Sequence, residues 1–80
     1  MKLDLYMFET CPYCQKVFRE IERTGRTDVV MHDVKKNQED MATLIKVGGE
    51  YQVPCLFIDG KPMYESDDIV AWLAANPQQA

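Results

Sequence analysis

The stretch Leu3–Gly25, LDLYMFETCPYCQKVFREIERTG, decides the fold. Its opening, Leu3 to Phe8, is mostly apolar and includes Tyr6 and Phe8, the composition of a short buried strand. Cys11-Pro12-Tyr13-Cys14 follows almost at once. Pro12 suits the first position of a helix, where its missing N–H leaves no bond unmade, so Cys11 falls at the N-cap and Cys14 in the first turn. The helix this predicts places Tyr13, Val17, Phe18 and Ile21 on one stripe and Lys16, Arg19, Glu20 and Arg23 elsewhere. Gly25 terminates it. A thiol pair therefore stands where a strand gives way to a helix. The thiolate is the nucleophile of disulfide exchange and a helix N-terminus favours negative charge, so position and spacing together point to dithiol redox chemistry.

Outward from this stretch the chain keeps alternating. Val29 to Val34 is β-rich and predicts a second strand. Asn37 offers an N-cap, Met41, Leu44 and Ile45 form a helical stripe, and Gly48-Gly49 ends it. Pro54 to Ile58 is the most apolar strand candidate, and Asp59-Gly60 is a two-residue hairpin signal that returns the chain into Lys61 to Tyr64. Pro62 cannot donate to a ladder, which puts that returning strand at a sheet edge. Ser66 is expected to cap a last helix whose first turn holds Asp67 and Asp68, the charge sign the helix dipole prefers. Ile69, Val70, Trp72 and Leu73 give that helix a buried face, and Asn76-Pro77 stops it. The order is β-α-β-α-β-β-α, an α/β arrangement without repeat, linker or low-complexity segment.

The bulk properties set bounds. Eighty residues suit one compact domain, expected over 1–80. With 46% hydrophobic and 28% charged residues the balance is that of a globular chain and not a disordered one. A net charge of −4, with no basic cluster beyond Lys35-Lys36, argues against a nucleic-acid partner. Asp4 and Glu9 interrupt the apolar run at the N-terminus, unlike the core of a signal peptide, and no stretch approaches the roughly 20 apolar residues of a membrane span. These features predict a cytoplasmic protein with no membrane partner, in a compartment that keeps thiols reduced. Three cysteines, an odd number, fit poorly with a disulfide-stapled secreted scaffold.

Other chemistry is open to the same residues. Cys11, Cys14, His32 and Cys55 have the ligand count of a structural zinc site, against which Pro12 aims the pair at a helix start in a βαβ context. His32 alternates with Met31 and Asp33 and reads as a partly exposed strand residue. Cys55 lies in an apolar run and reads as a small buried hydrophobe, with proximity to Cys11 as the alternative. Trp72 and the methionines read as core. Asp67-Asp68 has helix-capping charge as its bland reading, and Lys35-Lys36 reads as a solvated turn.

Four separated features, Cys11-Pro12-Tyr13-Cys14, Val53-Pro54, Asp59-Gly60 and Ser66-Asp67-Asp68, resemble the glutaredoxin family within the thioredoxin fold, and in that order they cover nearly the whole chain. Val53 to Leu73 is also similar to the N-terminal domain of glutathione transferases. The resemblance implies a four-stranded mixed sheet flanked by three helices, with Pro54 in the cis form. It implies a glutathione-disulfide and protein-disulfide oxidoreductase, expected to be a monomer, that uses glutathione as co-substrate and no metal. Its partners would be glutathione and disulfide-containing or glutathionylated proteins. Cys11 is the expected nucleophile, because an N-cap sulfur accepts the free N–H groups of the first turn. Cys14, on the same helix face, is the expected resolving thiol. Carried over from the family, the glutathione contacts are Tyr13, Gln52, Val53, Pro54, Ser66 and Asp67. The last two make chemical sense, since a helix start binds the γ-glutamyl carboxylate and a carboxylate takes its ammonium.

The chain departs from the family at two places. Phe8 stands where glutaredoxins usually carry a lysine three residues before the first cysteine. Tyr51 replaces a basic residue three before the proline, and Gln52 a threonine two before it. Lys46, Lys16 or Gln52 is left to meet the glycine carboxylate of glutathione, or a thioredoxin reductase to supply electrons instead. A non-catalytic glutathione- or iron–sulfur-binding module is the reading from a different class; the dithiol with its Pro12-Tyr13 pair speaks against it.

Overall fold

Leu3, Leu5 and Met7 fall on one side of the first strand and Tyr6 on the other, so the strand lies between two packed layers. The structure, a computed structural model, describes residues 1–78; residues 79 and 80 of the expected domain lie outside the described residues. The elements run β1 (Leu3–Met7), α1 (Pro12–Thr24), β2 (Val29–Asp33), α2 (Gln38–Gly48), β3 (Cys55–Ile58), β4 (Lys61–Met63) and α3 (Ser66–Ala75). The sheet order is β2-β1-β3-β4. β1 pairs parallel with β2, Leu3 facing Val29, and antiparallel with β3, Leu5 facing Leu56. β4 closes the far edge antiparallel to β3, with Pro62 opposite Phe57 on the edge strand where a residue without an N–H is tolerated. This is the four-stranded mixed sheet with three helices of the thioredoxin fold. At the hairpin Asp59 and Gly60 have φ of 50° and 86°, the two positive values that a type I′ turn requires.

The sheet separates two apolar clusters. Leu3, Leu5 and Met7 of β1 and Leu56 of β3 meet Cys14 and Val17 of α1 and Ile69 and Leu73 of α3 on one side. Tyr6, Cys55 and Phe57 meet Val34 and Leu44 on the other, under α2. Each fully buried leucine contributes roughly 2 kcal/mol, so these few residues carry much of the stability of so small a chain. Gly25 and Gly49 end α1 and α2 in the left-handed conformation at φ of 67° and 92°, and Asn37 caps α2 through Glu39 and Asp40 N–H.

Several expectations need correction. Tyr13 is 61% exposed, and Glu20, placed off the apolar stripe, is buried to 9%. The buried face of α1 runs through Cys14 and Val17 to Glu20, leaving Tyr13 at its margin. Glu20 is accommodated there because Arg23, one turn on, binds both its oxygens at 3.0 and 2.6 Å and holds the carboxyl below its usual range. Ile45 is exposed, because α2 rests on the sheet through Leu44 with Met41 beside it. Glu65, not Ser66, occupies the N-cap of α3; Ser66 is its first helical residue, and no side chain caps this end. The strands are shorter than expected, with Phe8, Val34, Pro54 and Tyr64 just outside them.

Candidate active site

The end of β1 and the start of α1 bring the two thiols together. Cys11 is the N-cap of α1 with φ −75° and ψ 119°, and its Sγ accepts the backbone N–H of Cys14 at 3.4 Å. Its own N–H donates to Phe8 O at 3.2 Å, which closes the tight turn between strand and helix. The Cys11 thiol also points at the carbonyl of Val53, 4.0 Å away across the chain. Val53-Pro54 is a cis peptide bond, with Pro54 buried and Val53 and Gln52 half-buried. All three cysteines are free thiols.

The two active-site thiols differ in character. Cys14 is fully buried, and burial pushes its thiol up from an ordinary 9.0 to about 12. A hydrogen bond with the Phe8 backbone pulls against this, and the Cys11 side chain pushes the same way as burial. Cys14 is thus a neutral thiol near pH 7, behind a Cys11 sulfur that faces free N–H groups of a helix start.

The other expected site residues spread over three elements. Tyr13 lies beside the dithiol with Lys16 Nζ 5.8 Å from its ring centroid. The same ammonium pairs with Asp67 at 3.5 Å, joining α1 to the first turn of α3, where Ser66 is buried. Direct contacts therefore unite Cys11, Cys14 and Val53. Asp67 is tied to this group through Lys16, and Gln52 and Pro54 flank Val53 in sequence. The residues named for zinc do not converge. Cys55 lies in the cluster across the sheet from Cys11, its thiol pushed by burial up to about 11. His32 stacks on Tyr6 at 4.6 Å, with its Nε2 2.8 Å from Asp4 and its Nδ1 3.2 Å from Asp40. Among the described residues no group of three or more His, Cys, Asp or Glu is arranged to hold a metal ion.

Lys35-Lys36 forms the exposed turn expected of it, and within that turn the contact made by Lys35 was not legible in the sequence. The Lys35 ammonium sits 4.0 Å over the ring of Phe8, while its neighbour Lys36 reaches Glu9 at 3.0 Å. Parallel pairing was the available signal: Met7 faces Asp33 and Val34 N–H bonds Met7 O at 2.9 Å, so the chain leaving β2 lies beside the chain leaving β1.

The family description Glutaredoxin matches residues 3–63, well over half of the chain. The chain belongs to the glutaredoxin family. Among solved structures it is similar to the dithiolic glutaredoxin 2-C-Grx1 of Trypanosoma brucei brucei, at 25% identity and TM-score 0.70 over 92% of this chain and 77% of that one. It shares the fold of the thioredoxin-like protein BC3987, at 23% identity and TM-score 0.76 over 90% of this chain and 99% of that one. It also superposes on a delta-class glutathione transferase of Nilaparvata lugens, at 25% identity and TM-score 0.73, covering 98% of this chain and 37% of the transferase. A search of the curated proteins found no match. Glutaredoxin family and fold support a function of the thiol–disulfide oxidoreductase type, in a family that uses glutathione as co-substrate.

Proposed function

We propose that this protein is a dithiol glutaredoxin that reduces protein disulfides and glutathione mixed disulfides with electrons from glutathione. The observation that carries the reading is the Cys11 sulfur, which accepts Cys14 N–H and faces Val53 O while the Cys14 thiol behind it keeps its proton.

On a glutathionylated protein, the Cys11 thiolate attacks the glutathionyl sulfur. A Cys11–glutathione disulfide forms and the protein thiolate leaves. A second glutathione, as thiolate, then attacks that disulfide, giving oxidised glutathione and regenerating the Cys11 thiolate. On a protein disulfide, Cys11 forms the mixed disulfide with the protein and Cys14 resolves it. Cys14 gives up its proton as it attacks, the Cys11–Cys14 disulfide forms and the reduced protein departs; two glutathiones then reduce the pair. Val53 and Pro54 would flank the cysteinyl unit of glutathione, with Tyr13 and Gln52 at its sides. The first turn of α3 at Ser66 and Asp67 would take the γ-glutamyl end, since free N–H groups bind its carboxylate. Lys35 over Phe8 supplies a cation where the resemblance expects a lysine in sequence.

A second reading, with electrons from a thioredoxin reductase, is favoured by the half-exposed Tyr51 that replaces a basic residue. Coupled assays with glutathione and its reductase, and in parallel with thioredoxin reductase, separate the two. The first reading expects turnover with glutathione, total loss in Cys11→Ser, and retained deglutathionylation in Cys14→Ser. Full deglutathionylation by Cys11→Ser would refute the nucleophile.

A further inference from the structure

The segment that carries Val53 and Pro54 leaves α2 at Gly49 and enters β3 at Cys55. Its far end is fixed by the sheet, because Cys55 pairs with Tyr6 of β1. Its near end is fixed by a side chain from elsewhere. The Tyr64 hydroxyl, from the connection between β4 and α3, donates to Glu50 O at 3.1 Å and accepts Glu50 N–H at 3.2 Å. One phenol thus satisfies both backbone groups of a residue that lies outside helix and sheet, which is a specific clamp and not general packing. The Tyr64 side chain also packs against the apolar cluster that holds the buried Cys55, the other end of the segment. Gly48 leaves the room for it: a Cβ there would overlap the Tyr64 hydroxyl. Tyr6, Tyr51 and Tyr13 lack this combination, and the sequence shows no reason to single Tyr64 out.

We propose that Tyr64 is the positioning residue of the disulfide-binding segment. By holding Glu50 it sets where the backbone of Val53 stands over the Cys11 sulfur, and so how tightly the site grips the disulfide it acts on. This rests on the oxidoreductase reading above. Tyr64 lies in the second apolar cluster, across the sheet from the dithiol, and takes no part in the exchange itself. Its removal therefore weakens substrate binding and leaves the chemistry intact.

The test is Tyr64→Phe, which deletes only the hydroxyl, assayed on a glutathionylated peptide with glutathione and glutathione reductase. Two lost hydrogen bonds, of which part is recovered by water at this partly open site, should raise KM about 5-fold. Turnover at saturation and the rate of Cys11 alkylation should stay within about twofold of the parent, a split that simple destabilisation would not produce. Gly48→Ala, which displaces the same hydroxyl without removing it, should raise KM in the same direction. Amide exchange at Glu50, whose N–H the hydroxyl accepts, should quicken in both variants. Parent-like KM in Tyr64→Phe overturns the inference and leaves the oxidoreductase reading standing. Absence of turnover in the parent protein with either donor overturns that reading instead. In that event unchanged amide exchange in Tyr64→Phe overturns the clamp, and quickened exchange upholds it as a structural device.

Discussion

The ammonium of Lys35 stands 4.0 Å from the centroid of the Phe8 ring, at the mouth of the turn that leads into Cys11. An aromatic face attracts a cation without neutralising it, so the lysine keeps its charge for an incoming anion. Lys36 differs, being paired with Glu9. Lys35→Gln should therefore raise KM for a glutathionylated peptide about threefold at low salt, whereas Lys36→Gln should have a smaller effect. The Lys35 effect should shrink in ~0.5 M salt, where exposed charges are screened. A salt-independent change would contradict an electrostatic role.

Cys14 and Cys55 are both held as neutral thiols, at about 12 and about 11. At pH 7 iodoacetamide should modify Cys11 in the folded protein and leave the other two untouched. In Cys11→Ser, mass spectrometry should find labelling slower by more than about tenfold, since the thiolate and not the thiol reacts. Rapid labelling of Cys14 at pH 7 in that variant would contradict its burial as a neutral thiol.

At alkaline pH the Tyr6 and Tyr64 phenols, which burial also pushes up, weaken the fold together with these two thiols. The folded values of the thiols lie above the unfolded one, so above pH 9 the unfolded chain releases protons that the folded chain retains. Their stabilising contribution is complete below about pH 9 and is lost as pH rises towards 11 and 12. Urea midpoints measured from pH 8 to pH 11 should fall, and the fall should be shallower in Cys55→Ala, although that variant starts less stable. A decline as steep as in the parent would be inconsistent with the assigned shift.

The fold was legible because its signals are local. Pro12 after Cys11, Asn37, Gly49 and Asp59-Gly60 each dictate a cap or turn through their own backbone chemistry, and strand order follows once the elements are placed. The dithiol was legible for the same reason, since its geometry belongs to a helix start. What escaped was set by neighbours distant in sequence. Lys35 meets Phe8 only through the parallel pairing of β1 with β2, and Tyr64 meets Glu50 only because β4 returns beside α2. Tyr13 and Glu20 were exchanged between surface and core because a single ion pair to Arg23 lets a carboxylate enter the apolar face. Periodicity sees residue types and not partners.

Arg26 ties the start of β2 to the end of α3. Its side chain is 3% exposed, and its guanidinium binds both oxygens of Asp28 at 2.8 and 2.9 Å and Leu73 O at 3.1 Å. The guanidinium holds the Asp28 carboxyl below its usual value, so this stabilisation is present above the unfolded carboxylate range and is lost as pH falls through the lower folded value. Arg26→Leu should cost about 2–3 kcal/mol in urea unfolding near neutral pH, because it strands a half-buried carboxylate and a carbonyl. The cost should diminish towards pH 3, as protonation of Asp28 removes the stranded charge. A loss independent of pH would assign the effect to packing alone.

Gly48 and Tyr64 should be coupled in stability. Gly48 is the last residue of α2 and has no positive φ, so alanine there would ordinarily stabilise the helix by about 0.5–1 kcal/mol. Here the new methyl group meets the Tyr64 hydroxyl, which two bonds to Glu50 hold in place, and the sign reverses. Overpacking of this kind costs about 1–3 kcal/mol. Removing the hydroxyl in Tyr64→Phe takes away the worst overlap, so Gly48→Ala should be far milder in that background. The double-mutant cycle should show a coupling of about 1 kcal/mol or more, measured by urea unfolding of the four proteins. Additive effects would mean that the methyl group and the hydroxyl never meet, and that Tyr64 does not hold the position that ties Glu50 in place.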